Sequence, residues 1–184
     1  MPDAPQQVSD VLTFWFEETL PEQWFVKDEG FDAKVRERFL ALWERARAGA
    51  CDAWTESPHG ALALVIVLDQ FPRNIFRGDP RSFATDAKAL EIAKAAIARG
   101  FDEDLTTDEK AFLYMPLQHS EVPADQELSC RLNEPLDKPD YYAFAVAHRD
   151  IIARFGRFPH RNAVLGRTST SEEATFLEQP GSSF

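Results

Sequence analysis

Arginine, histidine and asparagine stand directly behind each of the chain's two Phe-Pro dipeptides, and side chains of those types in that setting can hold an anion. Arg73 and Asn74 follow Phe71-Pro72, while His160, Arg161 and Asn162 follow Phe158-Pro159 in the same order with one residue inserted. A proline ends or kinks the helix that precedes it, so each motif delivers polar side chains at the end of a buried segment. Arginine rather than lysine fills both places, and its planar fork of donors suits a carboxylate or phosphate. Arg157 extends the second motif into a basic stretch, His148 to Arg167, in which Asp150 is the sole acid. Two such turns predict paired polar rims around one site, with Arg73, Asn74, Arg157, His160, Arg161 and Asn162 as its ligand-binding residues.

Acid-base chemistry would come from His119 or His148. His148 lies four residues after Phe144 and three before Ile151, which places it on an apolar helical stripe. Asp69 likewise continues the stripe of Leu62, Val65 and Ile66. An ionised carboxylate buried alone is prohibitively costly, so Asp69 needs a partner, for which Arg73, Arg157 and Arg161 are the candidates. Histidine titrates near neutrality and works best when oriented, a task that suits Glu121 or Asp69. On this reading His119, His148 and Glu121 are the catalytic residues and Asp69 a structural anchor. A second reading makes the same arginines and histidines scaffold, satisfying helix-end carbonyls and buried acids with no ligand.

Other chemistries find less support. His119-Ser120-Glu121 and His148-Arg149-Asp150 each set a carboxylate two residues after a histidine, on a different side of a helix, and neither matches the His-Glu-x-x-His metal motif. No metal and no cofactor are expected. Ser120 lacks a Gly-x-Ser-x-Gly elbow, and Cys51 and Cys130 lack an activating context.

Helices must position these groups. Val8, Val11, Leu12 and Trp15 recur at helical spacing in a first helix that Ser9 or Asp10 helps to start and Pro21 ends. Asp32 is the expected N-cap of a long helix turning Val35, Phe39, Leu42, Trp43 and Ala46 inward, with Gly49 near its end. Ser57-Pro58 gives a cap and first-turn proline to a central helix, apolar on all sides from Ala61 to Leu68 and so covered all round. Thr85 or Asp86 caps a further helix that Gly100 stops. Thr106 and Glu109 read as a capping box for a helix that Pro116 kinks or ends, and residues 124–133 form the next. From Asp140 a long helix is expected to bury Tyr141, Phe144, Ile151, Ile152 and Phe155 and to close at Gly156. A short helix near His160 to Leu165 and a last one, opened by Ser169 with Glu172 or Thr170 with Glu173, complete the set.

No stretch alternates with period two, so the predicted fold class is all-α, antiparallel helices stacked as a compact array in one domain, 1–178, with a loose tail at 179–184. The 184 residues suffice for one well-buried domain, and fifteen Phe and four Trp supply its core. A formal charge of −11 opposes nucleic acid and anionic membrane as partners. The longest apolar run is far short of the roughly 20 residues that span a bilayer. Two isolated cysteines and a polar opening segment without a leader fit a reducing cytoplasm.

Three segments carry a family resemblance: Leu68 to Asn74, Phe112 to Glu121, and His148 to Asp150 with Arg154 to Asn162. Together they resemble a widespread uncharacterised family, a domain of unknown function whose all-α members look like tetratricopeptide-type helical proteins. The resemblance implies the fold and supplies no activity, and the chain shows no 34-residue tetratricopeptide pattern. The leading expectation is a small anionic molecule bound, hydrolysed or transferred in an Arg/His pocket. The alternatives are a helical module for a peptide or protein partner and a structural domain without ligand.

Overall fold

A computed structural model describes residues 4–183, and every regular element among them is helical. Among the described residues nine α-helices follow in order: α1 (Ala4–Thr13), α2 (Glu29–Arg47), α3 (Pro58–Val65), α4 (Phe71–Ile75), α5 (Asp86–Ala98), α6 (Thr107–His119), α7 (Pro123–Asn133), α8 (Pro139–Phe155) and α9 (Ser171–Leu177). No helix among the described residues is long and apolar enough to cross a membrane.

The central helix behaves as its composition demands. Ala61 to Leu68 are at most 1 % exposed, and α3 packs against α1, α5 and α6. Ser57 caps it by accepting from the Gly60 amide, and Pro58 occupies the first turn, where no N–H is needed. Only glycine fits at position 60, because a Cβ there would lie 2.2 Å from the Trp54 carbonyl oxygen.

Past Val65 the helix widens into a π-turn, Ile66–Gln70, before α4 resumes. Pro72 is the cause. It has no N–H for the Leu68 carbonyl, and its ring crowds that carbonyl out of the ladder. The Phe71 amide accordingly reaches back to Ile66 O, and the freed Leu68 carbonyl accepts from the Thr85 hydroxyl. The Phe-Pro motif thus re-aims the helix instead of ending it, and the wider turn carries Asp69.

Several caps fall where the spacing puts them: Thr106 with Glu109, Thr170 with Glu173, and left-handed Gly100 and Gly156 behind α5 and α8. Others move. Asp28, not Asp32, caps α2, accepting from the Gly30 and Phe31 amides; Asp32 sits inside the helix and binds Asn74 and Arg77. Ser9 and Asp10 lie inside α1, Pro116 lies inside α6, and the segment after His160 is one 3-10 turn, Pro159–Arg161, rather than a helix to Leu165. In the expected tail, Ser182 is buried and donates to the Leu177 carbonyl, while Phe184 and residues 1–3 lie outside the described residues.

Two apolar clusters result. A large one gathers α1 to α6, centred on Trp15, Phe39, Phe71 and Phe112; a small one joins Ile151, Ile152 and Phe158 with Phe155 and Phe176. Between them, α6, α7 and α8 follow one another through the short connections 120–122 and 134–138, which makes neighbours antiparallel and sets α6 and α8 running the same way. Three rungs confirm that direction. Tyr141 Oη donates to Asp108, Phe25 stacks on both Phe112 and Phe144, and the rings of His119 and His148 lie 6.0 Å apart.

Candidate functional site

The polar network begins at Asp69, which the π-turn places inside the protein with no exposed surface. Its Oδ1 lies 2.9 Å from His119 Nδ1 and its Oδ2 accepts from Gln70 Nε2 at 2.6 Å. Arg73, one turn on, is 3.4 Å from Oδ1 and also donates to the Asp69 carbonyl. Burial alone would raise the Asp69 pKa, but Arg73, His119 and Gln70 outweigh it and hold the carboxyl well below the ordinary range. A carboxylate facing Nδ1 fixes the proton on that nitrogen and leaves the basic lone pair on Nε2. Burial, and then the Arg73 charge, push His119 below its ordinary pKa, so at neutral pH it is an uncharged base oriented by a carboxylate.

The second Phe-Pro turn meets this network through Asp86 at the start of α5. Asp86 holds Arg73 in a two-pronged pair at 2.9 and 3.0 Å and lies 3.7 Å from Arg161. The Arg161 guanidinium rests over the rings of Phe158, 4.5 Å to the centroid, and Phe83, 4.8 Å. Its side chain is 8 % exposed, and its buried Nε has no hydrogen-bond partner among the described residues. Arg161 is therefore a buried cation, paired with Asp86 at 3.7 Å, whose Nε donor is unused. Burial foremost, then Arg73, pull its pKa down to about 10.

Two further imidazoles complete the cluster. His148 is buried, its ring 5.7 Å from Phe158, and its Nδ1 donates to the Phe144 carbonyl at 2.7 Å. Burial and the neighbouring His119 push it down to about 3, and burial and Arg161 push His160 down to about 4. Because an ordinary histidine titrates near 6.5, the unfolded chain takes up these protons first as pH falls. Stability is then complete above about pH 6.5 and declines toward pH 4, by a few kcal/mol in order of magnitude at about 1.4 per pKa unit. Urea unfolding across that range should show the midpoint falling with pH, with a shallower slope in His160→Gln. A midpoint flat from pH 7 to 4.5 would contradict these buried neutral imidazoles.

The remaining sequence candidates face elsewhere. Arg157 does not reach Asp69; it pairs with Glu173 at 2.6 Å and donates to the Thr168 carbonyl, which docks α9. Asn74 donates to Asp32 and Asn162 to Ser169. Glu121 orients no imidazole: it accepts the Phe158 amide at 2.8 Å and grips Arg167, fastening the second turn to the end of α6. Arg167 also donates to the Phe158 carbonyl. Of the arginines and histidines expected at the site, Arg73, His119, His148, His160 and Arg161 gather in one cluster and Arg157 does not. Two surface depressions of about 350 and 260 Å³ lie elsewhere, the larger lined by Asp32, Asn74 and Arg77 among others.

The sequence gives no sign that Asp86, Phe83 and the ring of Phe158 contact the arginines of the site. Asp86 reads as an ordinary helix-start acid, and only its proximity to two arginines separates it from other such residues. No group of three His, Cys, Asp or Glu among the described residues is arranged to hold a metal.

Comparison with known proteins places the chain in a family. Residues 11–181 match the model of the bacterial protein family of unknown function DUF924, and the chain belongs to that family. It is also similar to the solved structure of a protein of unknown function, ATU0120, from Agrobacterium tumefaciens, with 43% identity, a TM-score of 0.91, and 96% of this chain and 99% of that chain covered. No curated protein matches.

Proposed function

We propose that this family member binds a small carboxylate- or phosphate-bearing molecule against Arg161 and moves a proton on it through His119. The observation that carries the reading is the pairing of two features. An imidazole is oriented by a buried carboxylate, with His119 Nδ1 2.9 Å from Asp69, and a buried guanidinium nearby, that of Arg161, keeps its Nε donor without a hydrogen-bond partner among the described residues. The first is the arrangement that general-base catalysis requires, and the second is a site whose donors a bound anion would satisfy.

Roles divide by what each side chain already does. Arg161 supplies the cation, with His148 and His160 beside it as neutral imidazoles able to accept a proton. His119 Nε2 is the base, Asp69 orients it, and Arg73, spent on Asp69 and Asp86, holds both carboxylates in place. Acting on a water molecule, such a base supports hydrolysis; acting on a substrate hydroxyl, it supports transfer. A reducing cytoplasm suits the two buried free cysteines, Cys51 and Cys130.

Acetate and inorganic phosphate are the probes, and thermal shift is the measurement. An anion at 100 times its dissociation constant adds about 2.7 kcal/mol to stability. Binding should tighten from pH 7.5 to 5.5, because a bound anion favours the protonated imidazoles that the empty site disfavours. Arg161→Gln should abolish the shift with the helical circular dichroism intact. Equal melting temperatures with and without both anions at either pH, or equal shifts in Arg161→Gln, would sink the reading.

A further inference from the structure

A carboxylate stands beside the cation of the proposed anion site, and proton transfer at His119 does not use it. Asp86 accepts from Arg73 with both oxygens, at 2.9 and 3.0 Å, and its Oδ2 lies 3.7 Å from Arg161 Nη1. That separation is an ion pair and too long for a hydrogen bond. A carboxylate offers about four lone-pair positions, so two bonds to Arg73 leave Asp86 able to accept more. Of the two carboxylates beside Arg73, Asp69 has no exposed surface, whereas the Asp86 side chain is 21 % exposed next to Arg73, also 21 %, and Arg161, 8 %. Asp86 is therefore the one a ligand can reach.

Charge alone does not choose the ligand here. With the imidazoles neutral, Asp69 and Asp86 balance Arg73 and Arg161, and selection falls to the pattern of donors and acceptors. An anion seated on Arg161 meets Asp86 at close range. If the anion is an acceptor only, as sulfate and acetate are, its lone pairs and its charge oppose those of Asp86. If it carries its own hydroxyl, that O–H turns to Asp86 and forms a charge-assisted hydrogen bond. Neither arginine can accept in the place of Asp86, because a guanidinium has donors only.

We infer that Asp86 determines the specificity of the site, and that the ligand is an oxyanion bearing a hydroxyl beside its charge, hydrogen phosphate or a 2-hydroxycarboxylate, whose anionic oxygens face Arg161 while its O–H donates to Asp86. The inference rests on the anion site proposed above and narrows its ligand class. Asp86 then has two tasks: it holds Arg73 with one set of lone pairs and reads the ligand's proton with another.

Titration calorimetry with two matched pairs tests this, phosphate against sulfate and glycolate against acetate. Near neutrality phosphate keeps a proton and sulfate has none, and glycolate differs from acetate by one hydroxyl. A charge-assisted hydrogen bond favours the hydroxyl-bearing member by about 10- to 100-fold in affinity. A preference in the phosphate pair alone assigns the ligand to hydrogen phosphate, and one in the glycolate pair alone to the hydroxycarboxylate. Asp86→Asn keeps an oxygen for Arg73 and can turn its amide donors to the ligand, so the preference should largely disappear as sulfate and acetate gain affinity. A residue that only anchors Arg73 would shift all four affinities together and leave the ratios unchanged. Asp86→Ser, judged by the same ratios, serves where Asp86→Asn does not fold, and the wild-type ratios are decisive without either variant. If the anions bind with ratios near one in both wild-type pairs, the inference fails and the anion site stands. If the preference persists in the variants, Asp86 is not the selector and the inference fails. If none of the four binds, both readings fail together.

Discussion

Asp69→Ala lowers the free energy of unfolding by about 3–5 kcal/mol, the range for breaking a fully buried ion pair from one side. Three groups lose their acceptor together: the His119 Nδ1 proton, the Gln70 amide and one edge of Arg73. Arg73 keeps Asp86, which pulls the expectation toward the lower figure. Asp69→Asn separates anchoring from orientation. It retains the shape and one acceptor but turns two donors toward groups that are themselves donors, so His119 loses the fixed tautomer. Chemical denaturation of both variants checks this, and an Asp69→Ala cost below about 1 kcal/mol would mean that the network does not hold the π-turn.

Phe71→Ala carries a comparable cost of about 3–5 kcal/mol, for a different reason. Its side chain is fully buried and packs on Phe39 at 4.5 Å, Trp15 at 5.7 Å and Phe14 at 6.2 Å between centroids. Phe14 and Trp15 belong to the π-helical turn Phe14–Glu18 behind α1 and Phe39 to α2, so the cavity opens where separate elements meet and cannot close by shifting one of them. Phe71→Leu should cost clearly less. If both substitutions are equally mild in urea titrations, the aromatic centre is more plastic than this packing implies.

How much of this was legible beforehand depended on whether a single residue's needs determined its partner. Asp69 sat on an apolar stripe, so its burial and its demand for a cation followed directly, and Arg73 answered that demand at the nearest place, one turn away. Arg157 was an equal candidate in sequence, but Gly156 turns the chain ahead of it and Glu173 of α9 takes it. Glu121 looked like a partner for a histidine because it follows His119 closely; in space the Phe158 amide and Arg167 claim it. The all-α architecture was legible because capping boxes and prolines are local signals. The π-turn was not, since it depends on where the Leu68 carbonyl finds a new donor, and Thr85 is a tertiary neighbour.

The division of the core into two clusters bears on how this protein opens. Ile151, Ile152 and Phe158 form a small island with Phe155 and Phe176, set apart from the large aromatic mass, and Glu121 with Arg167, the Arg161–Asp86 pair and the α6–α8 rungs fasten it to the rest. An island with so little buried apolar surface is a natural unit of partial unfolding, able to detach while the main core stays intact. Arg161 and His160 belong to that side of the seam, and His119 with Asp69 to the other. A molecule held between them would tie the two clusters together and raise the free energy of opening along that seam.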